Sequence, residues 1–317
     1  MNGARDKSGA APQSSIFAVD NSLPGIREPH VTRGSPVLNL LADGTSAYRA
    51  TLSVDEDAIY LLTDHVAHRI VPGEIHDQFP IENGSGAAVS RSRIVFWSQG
   101  TLWQIPKVGG KVSRVTALEH QPQFLMAAGE AIAWLDMKSR DEFRIQTFDG
   151  KKILTLVSHA GRIETATLFE GRVFFVARDD PTSWRIGSVS VLGGKVTYAA
   201  PKGGPTPAKI AVAGDVYYYD VQTNHLQKLS FDLEREETLA TDFICSPVAV
   251  AVRVYCPNVE GMFELARHAG AKLMPLFPSS ERITAVAAST RYLTWLNDAG
   301  PDRLSLRAIR LSLDDTP

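Results

Sequence analysis

From residue 36 onward the chain reads as short apolar runs of four to seven residues, separated by Gly, Asp, Asn and Pro. The runs are rich in Val, Ile, Leu, Phe, Tyr and Thr, which predicts strands, and none sustains the 3.6-residue period of an amphipathic helix. One run carries three consecutive tyrosines, "GDVYYYD" at 214–220. Its pattern is a small or polar residue, an aliphatic, two or three aromatic or apolar positions, then a polar residue. That pattern recurs, with copies "AIYLLTD", "RIVFWSQ", "AIAWLDM", "RVFFVAR", "DVYYYDV", "RVYCPNV" and "YLTWLND" starting at 58, 93, 131, 172, 215, 253 and 292. The aliphatic second positions are Ile59, Ile94, Ile132, Val173, Val216, Val254 and Leu293. Self-similarity at a period of about 40 residues is the signature of a repeat architecture.

Each copy has similar surroundings. A weaker apolar strand precedes it, as in "TLSVD" or "KIAVA", and a third follows, as in "TLWQIPK" or "RIGSVSV". A Gly-containing turn comes next in several units, "VGGK" (108–111), "FDGK" (148–151), "LGGK" (192–195) and "AGAK" (269–272), and then a fourth strand. Four antiparallel strands in such a period define one blade of a β-propeller. The last unit ends after its third strand, in "AIRLSLDDTP", whereas "PVLNLLADG" (36–44) precedes the first full unit. Pairing that segment into the last blade closes the ring and removes an exposed edge. The expected fold is therefore all-β, a seven-bladed β-propeller over 36–317. Residues 1–35, rich in Gly, Ala, Ser, Pro and charge with Phe17 as the one aromatic, read as a flexible or peripherally docked arm, with "SIFAVD" (15–20) as its candidate anchor on a partner.

The second-strand pattern, together with "IPKVGGK", resembles the YWTD-type and related bacterial propeller repeats with a Gly-Gly turn. The resemblance spans residues 36–317, with "AIAWLD" and "RVYCPN" departing from it. It implies the propeller fold and an extracytoplasmic binding or scaffolding role, and it transfers no catalytic residue.

Composition narrows the function classes. With 44% hydrophobic and 21% charged residues in 317, the chain can bury a sizeable core. A formal net charge of -2 gives no overall footprint for nucleic acid or an anionic membrane and leaves only local basic patches. No apolar run approaches the length of about 20 residues that spans a bilayer. The N-terminal "MNGARDKSGAAPQSS" has no signal-peptide core, so either the protein is cytosolic or a leader has been removed ahead of it.

No motif for chemistry stands out. The Gly-Gly-Lys turns lack the spacing of a phosphate loop and repeat at the same place in the unit, which makes them hairpin turns, and "KGGP" (202–205) falls between blades and is expected as a loop. His65, His68 and His76 lie near Asp64 and Asp77, but residues three apart on a strand point to opposite faces, so no metal site is expected. "DVQTN" (220–224) lacks the later glycine and glutamate of a calcium loop. There is no nucleophile elbow or zinc-protease motif, and no cofactor is expected.

The polar loops are the candidate site. Turns after the second strands should share one face of the disc with the connections between blades, and loops on a rigid scaffold are where binding residues concentrate. The first set supplies Asp136, Lys138, Arg140, Arg178, Asp179, Asp180, Asp220, His225, Asn297, Asp298, Asp302 and Arg303. The connections add His120, His159, Arg162, Asp242 and Arg282. The aspartates suit a cation or a basic partner.

Cys245 and Cys256 flank the first hairpin of the sixth blade, "CSPVAVAVRVYC". A turn centred on 250–251 puts them opposite each other at disulfide distance, the alternative being two buried thiols. A disulfide points to a periplasmic or secreted protein, its absence to a cytoplasmic one. The expected function is a non-enzymatic binding or scaffolding module for a protein partner. The alternatives are a lyase or hydrolase with its site in the central channel, and a structural subunit of a larger assembly.

Overall fold

The seven aliphatic positions that mark the repeat, Ile59, Ile94, Ile132, Val173, Val216, Val254 and Leu293, are all buried, at 0–2% exposure. They belong to the second strands of seven sheets in a computed structural model that describes residues 38–43, 50–63, 65–72, 76–81, 86–139, 142–250, 253–266, 273–278, 282–298 and 303–311. The predicted arm, residues 1–35, lies outside the described residues.

Strand β1 (Leu38–Asp43) precedes blade one, made of β2 (Thr51–Val54), β3 (Ile59–Leu62), β4 (Val66–Ile70) and β5 (His76–Pro80). Blade two holds β6 (Ala87–Val89), β7 (Arg93–Ser98), β8 (Thr101–Pro106) and β9 (Ser113–Ala117). Blade three holds β10 (Phe124–Ala128), β11 (Ala131–Ser139), β12 (Glu142–Phe148) and β13 (Ile153–Ala160). Blade four has β14 (Arg162–Phe169), β15 (Arg172–Asp180), β16 (Ser183–Ser190), β17 (Thr197–Tyr198) and β18 (Lys202–Gly203). Blade five is β19 (Ile210–Val212), β20 (Val216–Asp220), β21 (His225–Leu229) and β22 (Glu236–Thr241). Blade six is β23 (Val248–Val250), β24 (Arg253–Asn258), β25 (Gly261–Ala266) and β26 (Met274–Pro278). Blade seven contributes β27 (Ile283–Ala288), β28 (Tyr292–Asp298) and β29 (Arg303–Arg310).

Within each sheet consecutive strands pair antiparallel, except β18, which pairs with β16, and β1 completes blade seven by pairing with β29, from Leu38 opposite Ala308 to Asp43 opposite Arg303. The first strands of successive blades lie against one another around the axis, and β27 meets β2 to close the circle. The expected seven-bladed ring is therefore the observed one.

The core lies in the gaps between blades. On β20, Val216 and Tyr218 pack against Phe174, Val176 and Trp184 of blade four, while Tyr217 packs against Val254 and Cys256 of blade six. On β3, Tyr60 and Leu62 face Ile94 and Phe96, and Ile59 and Leu61 face Leu296 and Leu306. A strand covered on both faces loses apolar/polar alternation, which is why three tyrosines can stand in a row. Burying each such aromatic ring contributes about 1.5–3 kcal/mol. Their hydroxyls find partners: that of Tyr218 donates to Glu236, which also pairs with Lys202 at 2.7 Å, and that of Tyr219 donates to Asn224 at 2.7 Å. Gly187 of β16 is required by packing, because a Cβ there would collide with the buried ring of Phe175.

Two local departures from the sequence reading lie beside prolines. The segment 202–205, expected as a loop, supplies the two-residue strand β18, which pairs with β16 through Trp184 and Lys202. Pro201 cannot donate to the ladder, so the outer strand of blade four is interrupted and then resumes. In blade six the first hairpin turns one residue later than expected, with Val250 opposite Arg253. Pro247 likewise cannot donate, and β23 starts at Val248, leaving Cys245 outside the ladder. Cys245 nevertheless bonds to Cys256, with the Cα atoms 5.0 Å apart.

Candidate binding face

The alternation of strand direction sorts the loops. Second-to-third-strand turns and blade connections lie on one face, and first-to-second and third-to-fourth turns lie on the other. On the first face, at the mouth of the channel beside blades five, six, seven and one, a cavity of about 1250 Å³ opens. Its wall includes Lys209, Asp242, Ile244, Val259, Glu260 and Arg282.

Local chemistry builds this wall. The connection from blade four to blade five contains Pro205 and Pro207, which lack amide donors, and it delivers Lys209 immediately before β19. Lys209 is half-buried and has no ion-pair or hydrogen-bond partner among the described residues, and desolvation lowers its pKa to about 8. In the next connection Asp242 adopts φ 56°, a region open to Asp at modest cost, and turns the chain toward Cys245. The disulfide anchors that loop to β24. Ile244 and Val259 stand 70% and 94% exposed, so the cavity has an apolar rim.

The loop residues expected from sequence are spread over this face, and several hold the scaffold. Asp136 is buried, paired with Arg144 at 2.8 Å and with His120 Nδ1 at 3.1 Å, which ties the blade two–three connection to blade three. Lys138 reaches Glu142 at 2.8 Å across its hairpin. Arg178 donates to the Pro181 carbonyl at 2.6 Å, and Asp179 accepts from Arg185 at 3.0 Å. The buried His159 lies 3.7 Å from Asp179 and 3.3 Å from the Arg178 carbonyl. Asp180 accepts from Ser183 at 2.5 Å and from Thr182 at 2.7 Å, and these bonds hold its carboxyl down at about 2. Asp220 is buried, caps its turn through the Gln222 amide at 2.9 Å, and sits opposite His225. Asn297 is buried and Asp298 half-buried, the latter's amide donating to the Arg282 carbonyl at 3.0 Å. Arg162 pairs with Glu164 at 3.2 Å. Arg140 and Asp302 lie outside the described residues, and of Arg303 only the backbone is described. Asp242 and Arg282 are thus brought to the cavity, while the others are not gathered into one cluster. Sequence reading did not single out Lys209, Ile244, Val259 or Glu260. The one available signal was an apolar residue, Ile244, standing in a polar connection.

A second group was missed on blade one. His68 on β4 and His76 on β5, eight residues apart, meet across the hairpin with Nδ1 and Nε2 2.9 Å apart. The ring planes are within 10° and the centroids 5.1 Å apart, about the nitrogen contact plus two ring radii, so the rings share a hydrogen bond edge to edge in nearly one plane. One imidazole donates and the other accepts, which requires the acceptor to be neutral. Burial first, and the adjacent His76 second, lower the pKa of His68 from 6.5 to about 4; burial also lowers that of His76. The unfolded chain therefore takes up protons before the folded one as pH falls. Stability from His68 is whole above pH 6.5 and is lost on descent toward pH 4. Discounted for partial exposure, the loss between pH 7 and pH 5 comes to about 1–2 kcal/mol. Urea unfolding at several pH values checks this, with His68→Phe flattening the profile across that window.

Seven sheets of four antiparallel strands, with the short β18 added to blade four, closed by the first and last strands of the ring, define a seven-bladed β-propeller. Among solved structures, the chain is similar to a chain of the Mitotic Checkpoint Complex, at TM-score 0.60 and 7% identity over 84% of this chain and 92% of that one. It is also similar to PorZ of Porphyromonas gingivalis, at TM-score 0.56 and 11% identity over 88% of this chain and 39% of that one, so it spans about two fifths of PorZ. BamB from Moraxella catarrhalis aligns more loosely, at TM-score 0.46 and 9% identity over 81% of this chain and 84% of that one. No protein-family model matches the sequence, and no curated protein matches it significantly. At these identities the likeness establishes the fold.

Proposed function

We propose that the protein is a binding or scaffolding propeller that engages a protein partner through the face holding the channel-mouth cavity. The observation that carries this reading is the cavity itself, about 1250 Å³ and rimmed by Ile244 and Val259. Large aliphatic side chains beside a concavity, with the charged Asp242, Glu260 and Arg282 in its wall, match the anatomy of a recognition site. Two proteins with the same architecture belong to assemblies: the Mitotic Checkpoint Complex chain, and PorZ, a bacterial surface component of the type-IX secretion system. The Cys245–Cys256 bond supports a periplasmic or secreted location, since disulfides persist in oxidising compartments.

Affinity capture from the native host tests the reading. Wild-type protein is expected to retain a specific partner, and Ile244→Asp combined with Val259→Asp to lose at least about tenfold of it, the scale of a core contact in an interface. Equal capture by wild type and the double variant, or no specific partner for either, would overturn it.

A further inference from the structure

We propose that the opposite face, at the third-to-fourth-strand turns of blades two, three and four, docks the protein on an anionic phospholipid surface. In blades two and four these turns are built alike, an aliphatic residue, two glycines and a lysine: Val108-Gly109-Gly110-Lys111 and Leu192-Gly193-Gly194-Lys195. The glycines hold positive φ, 87° and 132° in the first turn and 88° and 113° in the second, so the hairpins end tightly and the residue before them stands outward. Val108 is 80% exposed and Leu192 87% exposed. Between them, the blade-three turn presents exposed Lys151 and Lys152.

Charge on this sector is one-sided. Lys111, Lys151, Lys152 and Lys195 are exposed, and their ammonium groups have no ion-pair or hydrogen-bond partner among the described residues. Most carboxylates nearby are engaged. Asp149 accepts the amides of Lys151 and Lys152 at 2.8 Å, Glu130 pairs with Arg93 at 3.7 Å, and Asp55 pairs with Lys107. Glu170, on a first-to-second-strand turn, lies closer to the axis. The blade-five turn, with Asp232 and Glu234, marks where the basic sector stops.

A bilayer fits this arrangement better than a protein surface does. A stable protein interface needs a contiguous patch of about 800 Å² on each partner. Here single aliphatic side chains project from separate blades, with lysines beside them, which suits a plane that admits one side chain at each point. The aliphatic tips would enter the acyl boundary while the ammonium groups meet lipid phosphates. In that orientation the cavity faces away from the membrane and stays open to a partner.

Vesicle flotation tests the proposal, using phosphatidylcholine alone and phosphatidylcholine with one third phosphatidylglycerol. The full chain is expected to float with the anionic vesicles at low salt, much less at high salt, and little with neutral vesicles. Each lysine near such a surface strengthens binding by about fivefold, so replacing Lys111, Lys151, Lys152 and Lys195 with Gln should weaken it at least about tenfold. Val108→Asp with Leu192→Asp should do the same, and both sets, being exposed, should leave the melting temperature unchanged. Ile244→Asp with Val259→Asp should float like wild type, which separates this face from the cavity. The proposal is overturned if wild type ignores anionic vesicles, if it floats equally with neutral ones, or if the lysine variant floats unchanged. Loss of an acidic protein partner from these variants, without vesicle binding by wild type, would also overturn it in favour of a protein surface.

Discussion

A chain lacking residues 38–43 is expected to lose its soluble folded form, whereas one lacking only residues 1–35 is expected to keep it. The six residues of β1 pair with β29 along their whole length. Backbone hydrogen bonds contribute about 0.5–1.5 kcal/mol each on balance, so this ladder supplies several kcal/mol of a total that is on the order of 5–15 for a domain. Removing it also leaves β29 as an eight-residue edge with unpaired amides and carbonyls. Long open edges template aggregation. Size-exclusion profiles and thermal melts of the two truncations check the expectation. An unchanged melting temperature on loss of 38–43 would show that blade seven stands without β1.

Breaking the Cys245–Cys256 bond is expected to cost about 3 kcal/mol, by the loop-closure estimate for a ring of this size. The two residues are separated by 11 positions and both side chains are buried, so replacing both with Ala changes little volume and isolates the crosslink. Ile244 neighbours Cys245, so the wall of the cavity loses its anchor in the same variant, and partner capture should weaken along with the urea midpoint. An unchanged midpoint would mean that the loop from Asp242 to Pro247 is held by packing alone.

Architecture was legible because a propeller repeats one demand seven times. Every second strand is covered on both faces, so Ile59 and its six counterparts had to be apolar whatever the loops did. The twin glycines of the turns were legible for a related reason, since only a residue tolerant of positive φ fits there. The disulfide pair was foreseen, but not its geometry, because the first hairpin of blade six turns one residue later than the spacing suggested and leaves Cys245 outside the ladder. His65 and His68 were read along one strand, where residues three apart diverge, whereas the meeting of His68 with His76 depends on pairing between strands. The cavity was not legible at all. Lys209 and Val259 come from different blades, and only the curvature of the ring brings them to one wall.

Closure has a further meaning for how the molecule opens. An open stack of repeats has two outermost units with a neighbour on one side only, and these fray first, as the ends of a one-dimensional array do. With β27 against β2, every blade has two neighbours, and no unit is terminal. Local opening must then begin at a seam chosen by side chains and not by position in the chain. The seam between blades four and five, where Trp184 meets Tyr218 edge to face at 5.7 Å and Lys202 pairs with Glu236, is well stitched. Cooperativity in this protein is therefore a property of the circle, set by its weakest join.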